Sequence, residues 1–107
     1  MKYFDEIKKS MDWLNTKSDT LFLGQAVEYD GTAMTRTLRD VDASKKLEMP
    51  VNEEMQTGIT LGMALNGTVP ISIYPRWNFL LLGANQLVNH IDKIKIMSSG
   101  GYTPKII

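Results

Sequence analysis

The sequence contains no cysteine. That excludes a disulfide scaffold, a thiolate nucleophile and every cysteine-containing zinc site. Its single histidine excludes a histidine-rich metal centre. Neither sign of charge is in excess, since 12 Lys plus Arg balance 12 Asp plus Glu. Such a balance argues against a basic nucleic-acid binder that relies on phosphate neutralisation. Long apolar runs are missing too. The longest, Phe79 to Leu82, falls far short of the ~20 residues that a membrane-spanning helix needs. Asp5, Glu6 and Asp12 interrupt the start, which therefore does not read as a signal peptide. The expectation is a soluble, cytoplasmic protein with no membrane and no nucleic acid among its partners.

What remains is an ordinary globular composition. The 107 residues fit one small domain, 43% of them are apolar and 22% are charged. Phe4, Ile7, Met11 and Leu14 recur at helical spacing and predict an amphipathic helix over residues 2–16, within an N-terminal helical region 1–18. Thr20 to Val27 is β-branched and apolar, and predicts a buried strand. Tyr29-Asp30-Gly31 carries a turn signal. Residues 32–45 show weak periodicity and read as loop with a short helix. Lys46 to Val51 reads as a short strand ended by Pro50. Asn52 is an N-cap type, and Glu53 and Glu54 then sit in the first turn of the clearest helix in the chain. Its apolar positions are Ile59 and Met63 on one side, Leu61 and Leu65 on another. Gly58 and Gly62 lie four apart on one side, where another backbone is expected to approach closely.

Asn66-Gly67 closes this helix. Pro70 to Tyr74 predicts a short buried strand. Phe79 to Met97 predicts a second long helix with an inner stripe of Leu80, Ala84, Leu87, Ile91 and Ile94. Ser98-Ser99-Gly100-Gly101 breaks it, and Lys105-Ile106-Ile107 reads as the start of a further strand. Alternating strands and helices indicate an α/β domain with a mainly parallel sheet flanked by helices.

Common catalytic motifs are absent. There is no GxxxxGK[ST] phosphate loop, no GxGxxG and no GxSxG elbow. His90, between Asn89 and Asp92 in the helical pattern, reads as a surface histidine. The seven Met read as core filler, and Lys8-Lys9 and Lys45-Lys46 as solvated surface. On composition alone, Glu53 and Glu54 complement the helix dipole and do nothing more.

An ordered set of segments adds to this. LGQAV at 23–27 is followed by YDG at 29–31 and by PVNEEMQTGITLGMALNG at 50–67. PISIYPRWNF at 70–79, NQLVNHIDKI at 85–94 and MSSGG at 97–101 complete it. The set resembles the pyrimidine-binding domain of the transketolase superfamily over residues 20–107. It is most similar to the beta subunit of the thiamine-diphosphate-dependent 2-oxoacid dehydrogenase first component. The resemblance implies a thiamin-diphosphate-binding fold, with residues 1–107 as a single, partial pyrimidine-binding domain. In that family a glutamate ends a TPISE element, with glycines five and nine positions later. Here Glu53, with Gly58 and Gly62, stands at those offsets. The implied role of Glu53 is to hydrogen-bond a ring nitrogen of the cofactor's aminopyrimidine. This favours the imino tautomer, which takes the proton from the thiazolium carbon that then attacks a 2-oxo acid or ketose carbonyl.

Sharing a proton with a ring nitrogen demands a carboxyl screened from water, whereas a helix N-terminus favours the charged carboxylate. The expectation is therefore a site closed over by cofactor and partner. Trp77 and Phe79 are the implied cofactor-binding aromatics. Arg76 occupies a place that is often aromatic in the family. Gln25 and Ala26 stand where relatives often carry acids, Asn52 replaces a serine, and Asn85 an aspartate. The family's GDG-then-Asn motif, which holds magnesium and diphosphate, does not occur here. Thiamine diphosphate with magnesium would then depend on an alpha-type subunit or a diphosphate-binding domain. The implied product is a homo- or hetero-oligomer of which this chain, a fragment of a beta-type subunit, is not active alone. The alternative is a non-catalytic assembly or regulatory module that keeps the fold.

Overall fold

A computed structural model describes residues 2–107. Helix α1 spans Tyr3–Asn15. Strand β1, Thr20–Gly24, follows, and then the short helix α2, Ala33–Thr37. A 3-10 turn at Ala43–Lys45 leads into β2, Lys46–Glu48. Helix α3 is Glu53–Leu65 and β3 is Val69–Ile73. The three strands form one parallel sheet in the order β2-β1-β3. The chain is thus α/β with an all-parallel sheet flanked by helices, as its alternating pattern predicts. Among the described residues no helix is long and apolar enough to cross a membrane.

The two faces of the sheet are chemically different. Strand side chains alternate between faces. Phe22, Ile71 and Ile73 point to one face, where they join Leu14, Val27, Leu38 and Val41 in a single apolar core. Met11 of α1 and Met34 of α2 pack against it. The region 32–45, read from sequence as loop with a short helix, carries that helix as α2 and supplies Leu38 and Val41 to the core. Lys45 is not simply solvated surface. Its ammonium donates to the carbonyls of Asn15 (2.7 Å) and Lys17, capping the C-terminal end of α1. Lys8 likewise bridges Asp12 and Asp40. The Lys8 ammonium holds the exposed Asp40 carboxyl below the ordinary aspartate range.

The other face is polar where α3 lies on it. The buried residues of α3 are Glu53, Gln56, Thr57, Thr60 and Ala64, a single stripe at helical spacing. Ile59 and Leu65, with Met55, are more than a third exposed. This corrects the assignment from sequence. Apolar periodicity marked Ile59, Met63, Leu61 and Leu65 as packing faces, yet the helix turns its threonines and glutamine to the sheet. The reason is Ser72, which faces α3 on β3. Gln56 Nε2 donates to Ser72 Oγ (3.0 Å) and to the Ile73 carbonyl (3.0 Å), and Thr60 Oγ1 to Ser72 Oγ (3.1 Å). A buried polar strand residue selects a polar helix face.

The predicted long helix 79–97 is broken. It starts earlier, as α4 at Trp77–Leu80, and continues as a 3-10 turn at Leu81–Gly83 and α5 at Ala84–Gln86. A π turn at Leu87–Ile91 and α6 at Ile94–Met97 complete it. Asp92 N–H bonds back to Leu87 O (2.9 Å), the mark of the π turn. The inner stripe Leu80, Ala84, Leu87, Ile91 and Ile94 faces inward but is only half-buried. Methionine is less a core filler than expected, since among the described residues Met49 alone is buried and Met97 is largely exposed.

The glycines carry another correction. A Cβ on Gly62 would meet nothing within 4 Å, and one on Gly58 only the Gln86 side chain at 3.8 Å. Among the described residues no backbone from outside the helix approaches them. Gly62→Ala should therefore raise the melting temperature of the isolated chain by about 3–6 °C, through helix propensity alone. A far-UV circular dichroism melt checks it, and a fall would mean that the site is occupied.

Candidate functional site

In open parallel sheets ligands gather outside the carboxyl ends of the strands. Here those ends are Gly24, Glu48 and Ile73, and the first turn of α3 lies beside them. Asn52 caps α3 as its sequence predicts, with Oδ1 accepting from Met55 N–H at 2.9 Å. That cap fixes the direction in which Glu53 and Glu54 leave the helix.

The two glutamates are separated by their surroundings. Glu53 is 4% exposed, while Glu54 is exposed and accepts from Asn85 Nδ2 at 3.0 Å. The Glu53 carboxylate has no hydrogen-bond partner among the described residues. Its main-chain carbonyl accepts from Thr57 Oγ1 (2.7 Å), which is also bonded to the Tyr74 hydroxyl. Gly83 packs directly over this turn. A Cβ there would stand 3.3 Å from Glu53 O and closer still to Thr57 Oγ1. The burial expected from a partner is therefore largely supplied by this chain, through the segment that carries Gly83.

Two polar atoms near this end of the sheet are fully buried without a partner among the described residues. They are Gln25 Nε2 and Gln56 Oε1, one a donor and one an acceptor. Gln25 follows Gly24 at the end of β1, and its N–H reaches Ile73 O at 3.4 Å. Gln56 also donates to that carbonyl. The third strand end is closed differently. The Glu48 carboxylate accepts from the backbone N–H groups of Ala26 (2.8 Å), Val27 (2.7 Å) and Glu28 (2.8 Å). Ala26 adopts a left-handed backbone, φ 58°, to turn these amides inward.

Trp77 is 77% exposed. It borders a cavity of about 330 Å³ with Met11, Met34, Ile71 and Leu80, in which Glu53 has no part. Phe79 is half-buried, with the Arg76 guanidinium 5.9 Å from its ring centre. His90 is exposed, as a surface histidine should be. Among the described residues no three His, Asp or Glu converge into a metal-binding group.

Sequence reasoning missed Glu48, Gln56, Tyr74 and Gly83. Gln56 had a signal, since it lies three residues after Glu53 on the same helix face. Glu48 had none, because its partner amides lie about 20 residues earlier in the chain.

The chain is similar to the mitochondrial pyruvate dehydrogenase E1 component subunit beta of Drosophila melanogaster. The two are 28% identical over 107 residues, 96% of this chain and 29% of that protein. It is also similar to the pyruvate dehydrogenase E1 component subunit beta of Porphyra purpurea, 28% identical over 97% of this chain and 33% of that protein. The mitochondrial human subunit is 31% identical over 90% of this chain and 28% of its own length. The chain thus spans about a third or less of the relatives it matches. No family model matches it.

Proposed function

We propose that this chain is the pyrimidine-binding half of a thiamine-diphosphate-dependent enzyme of the 2-oxoacid dehydrogenase or transketolase type. Residues 1–107 act as a partial pyrimidine-binding domain, and the rest of the site comes from an alpha-type subunit or a diphosphate-binding domain. Similarity to E1 beta subunits along nearly the whole chain supports this reading. The observation that carries it is the state of Glu53. The residue is 4% exposed, and its carboxylate stands at the carboxyl end of a parallel sheet with no protein partner among the described residues, open to a ligand rather than sealed in the core.

The residues present suit an aminopyrimidine. Glu53 would hold or accept one proton shared with a ring nitrogen. Thr57 and Tyr74 fix the turn that carries it, and the Gly83 segment excludes water on one side. Gln25 and Gln56 offer a donor and an acceptor for reorganisation on binding. Bound thiamine diphosphate would supply the nucleophilic carbon that attacks the substrate carbonyl. Magnesium and the diphosphate would be held by the partner.

Co-expression with a GDG-bearing partner tests this. With thiamine diphosphate and magnesium, the pair should consume a 2-oxo acid, and Glu53→Gln should lower the rate by about 10²-fold or more while both chains stay folded. A pair that turns over no 2-oxo acid, or a Glu53→Gln pair of unchanged rate, defeats the proposal. One observation favours the second reading, an assembly module. The cavity that Trp77 borders does not include Glu53. That reading expects tight association with the partner and no dependence of anything on Glu53.

A further inference from the structure

The connection from α3 to β3 carries a chemically reactive pair. Asn66 and Gly67 end the helix, and both are exposed. Gly67 takes φ 93°. Its N–H donates to Ala64 O (3.2 Å), and Thr68 N–H donates to Met63 O (3.1 Å). This is the left-handed helix stop in which glycine follows the cap. An added Cβ on Gly67 would meet nothing within 4 Å, so the space around this residue is open. The two bonds that hold these amides belong to the last turn of the helix, the part that frays most readily.

An asparagine amide is a slow acyl electrophile, and the next backbone nitrogen is its nearest nucleophile. Gly67 N would lose its proton to water and attack Asn66 Cγ, and the side-chain nitrogen would leave as ammonia. The five-membered imide then takes up water. Opening at one carbonyl gives aspartate. Opening at the other gives isoaspartate, whose main chain runs through the former side chain. A Cβ on the following residue crowds this attack, and glycine has none. The chain has six asparagines, and only Asn66 precedes a glycine. Asn15, Asn52, Asn85 and Asn89 are also held by side-chain hydrogen bonds. The Asn66 side chain has none among the described residues. Asp30-Gly31 has the glycine, but an ionised carboxylate is a poorer electrophile than an amide.

We propose that Asn66-Gly67 is a spontaneous deamidation site that, in the folded chain, turns the α3–β3 connection into an isoaspartyl link. Water is the co-reactant and ammonia the product lost. The new carboxylate stands at the negative end of the α3 dipole, and the last turn of α3 has no basic residue to offset it. The isoaspartyl main chain is one carbon longer. It displaces the amides of Gly67 and Thr68 from Ala64 O and Met63 O, and so loosens α3 where the chain enters β3. The site is independent of whether Glu53 is catalytic.

Incubation of the whole folded chain at neutral and at mildly alkaline pH, followed by peptide mass spectrometry, tests this. The peptide that contains Asn66 should gain the mass of an amide-to-acid exchange. It should do so faster at the higher pH, because the attacking nitrogen must lose its proton. A protein-isoaspartate methyltransferase with labelled S-adenosylmethionine should then place most of its label on that peptide. Asn66→Gln, which would need a six-membered ring, should slow conversion by about tenfold or more. The purified isoaspartyl form should melt about 4–8 °C below the parent chain. No conversion at Asn66 in the folded chain, while a synthetic peptide of residues 62–71 converts fully in the same time, overturns the proposal. So does conversion of another asparagine at an equal rate, or Asn66→Gln converting as fast as the parent. An isoaspartyl form that melts with the parent overturns the loosening of α3.

Discussion

Gly24→Ala should remove a large part of the stability of this domain. Gly24 ends the central strand with φ 143°, a conformation that side chains rarely adopt. A Cβ there would lie 2.9 Å from both Ile73 C and Gln56 Nε2, with the Ile73 carbonyl oxygen closer still. Backbone strain and overpacking each cost about 1–3 kcal/mol. The clash also displaces the carbonyl that holds Gln25 and Gln56. The combined loss is on the order of 3–5 kcal/mol, against about 5–15 kcal/mol for a whole domain. The melting temperature should fall by roughly 15–25 °C. Gly67 is the control. It also has a positive φ, 93°, but an added Cβ meets nothing within 4 Å. Gly67→Asn should therefore cost about 1 kcal/mol or less, since asparagine also serves as a left-handed helix end. Circular dichroism melts of the two variants check both. Equal losses would refute the steric account.

Glu48→Ala should be the second most damaging change. It strips the common acceptor from three consecutive backbone amides while leaving Ala26 in its left-handed turn. Hydrogen bonds to a charged group contribute about 1.5–3 kcal/mol each, but these amides are partly exposed and regain water. A net loss of about 2–4 kcal/mol follows. The vacated ring of amides is a ready anion site. Added sulfate should raise the melting temperature of Glu48→Ala more than that of the parent chain. Glu48→Gln, which keeps one acceptor oxygen, should fall between them. If sulfate stabilises the parent and Glu48→Ala equally, the amides have collapsed and the account fails.

The sequence displays the architecture and part of the site for clear physical reasons. Local signals are visible in it: the apolar spacing of α1, the β-branched run of β1, and the Asn52 cap that sets the start of α3. The choice of Glu53 over Glu54 rests on glycine offsets, and the structure places the first inside and the second in water. Contacts that reverse a local signal stay hidden. Ser72 on β3 turns α3 over, so that its apolar residues look outward. Gly83 and the π turn break a stretch whose periodicity reads as one helix. The Glu48 cradle is assembled from residues that only the folded chain brings together.

The inward polar stripe of α3 also decides how accurately Glu53 is delivered. A greasy helix can slide or roll against a greasy sheet with little penalty, because dispersion is indifferent to direction. Hydrogen bonds are not. Gln56 and Thr60 both reach Ser72, one turn apart. Those bonds act like two teeth meshed on one peg, and rotation or translation of the rod disengages them. Glu53, one further turn along, is thereby indexed to the strand, and its position should vary less than the looseness of the surrounding packing suggests.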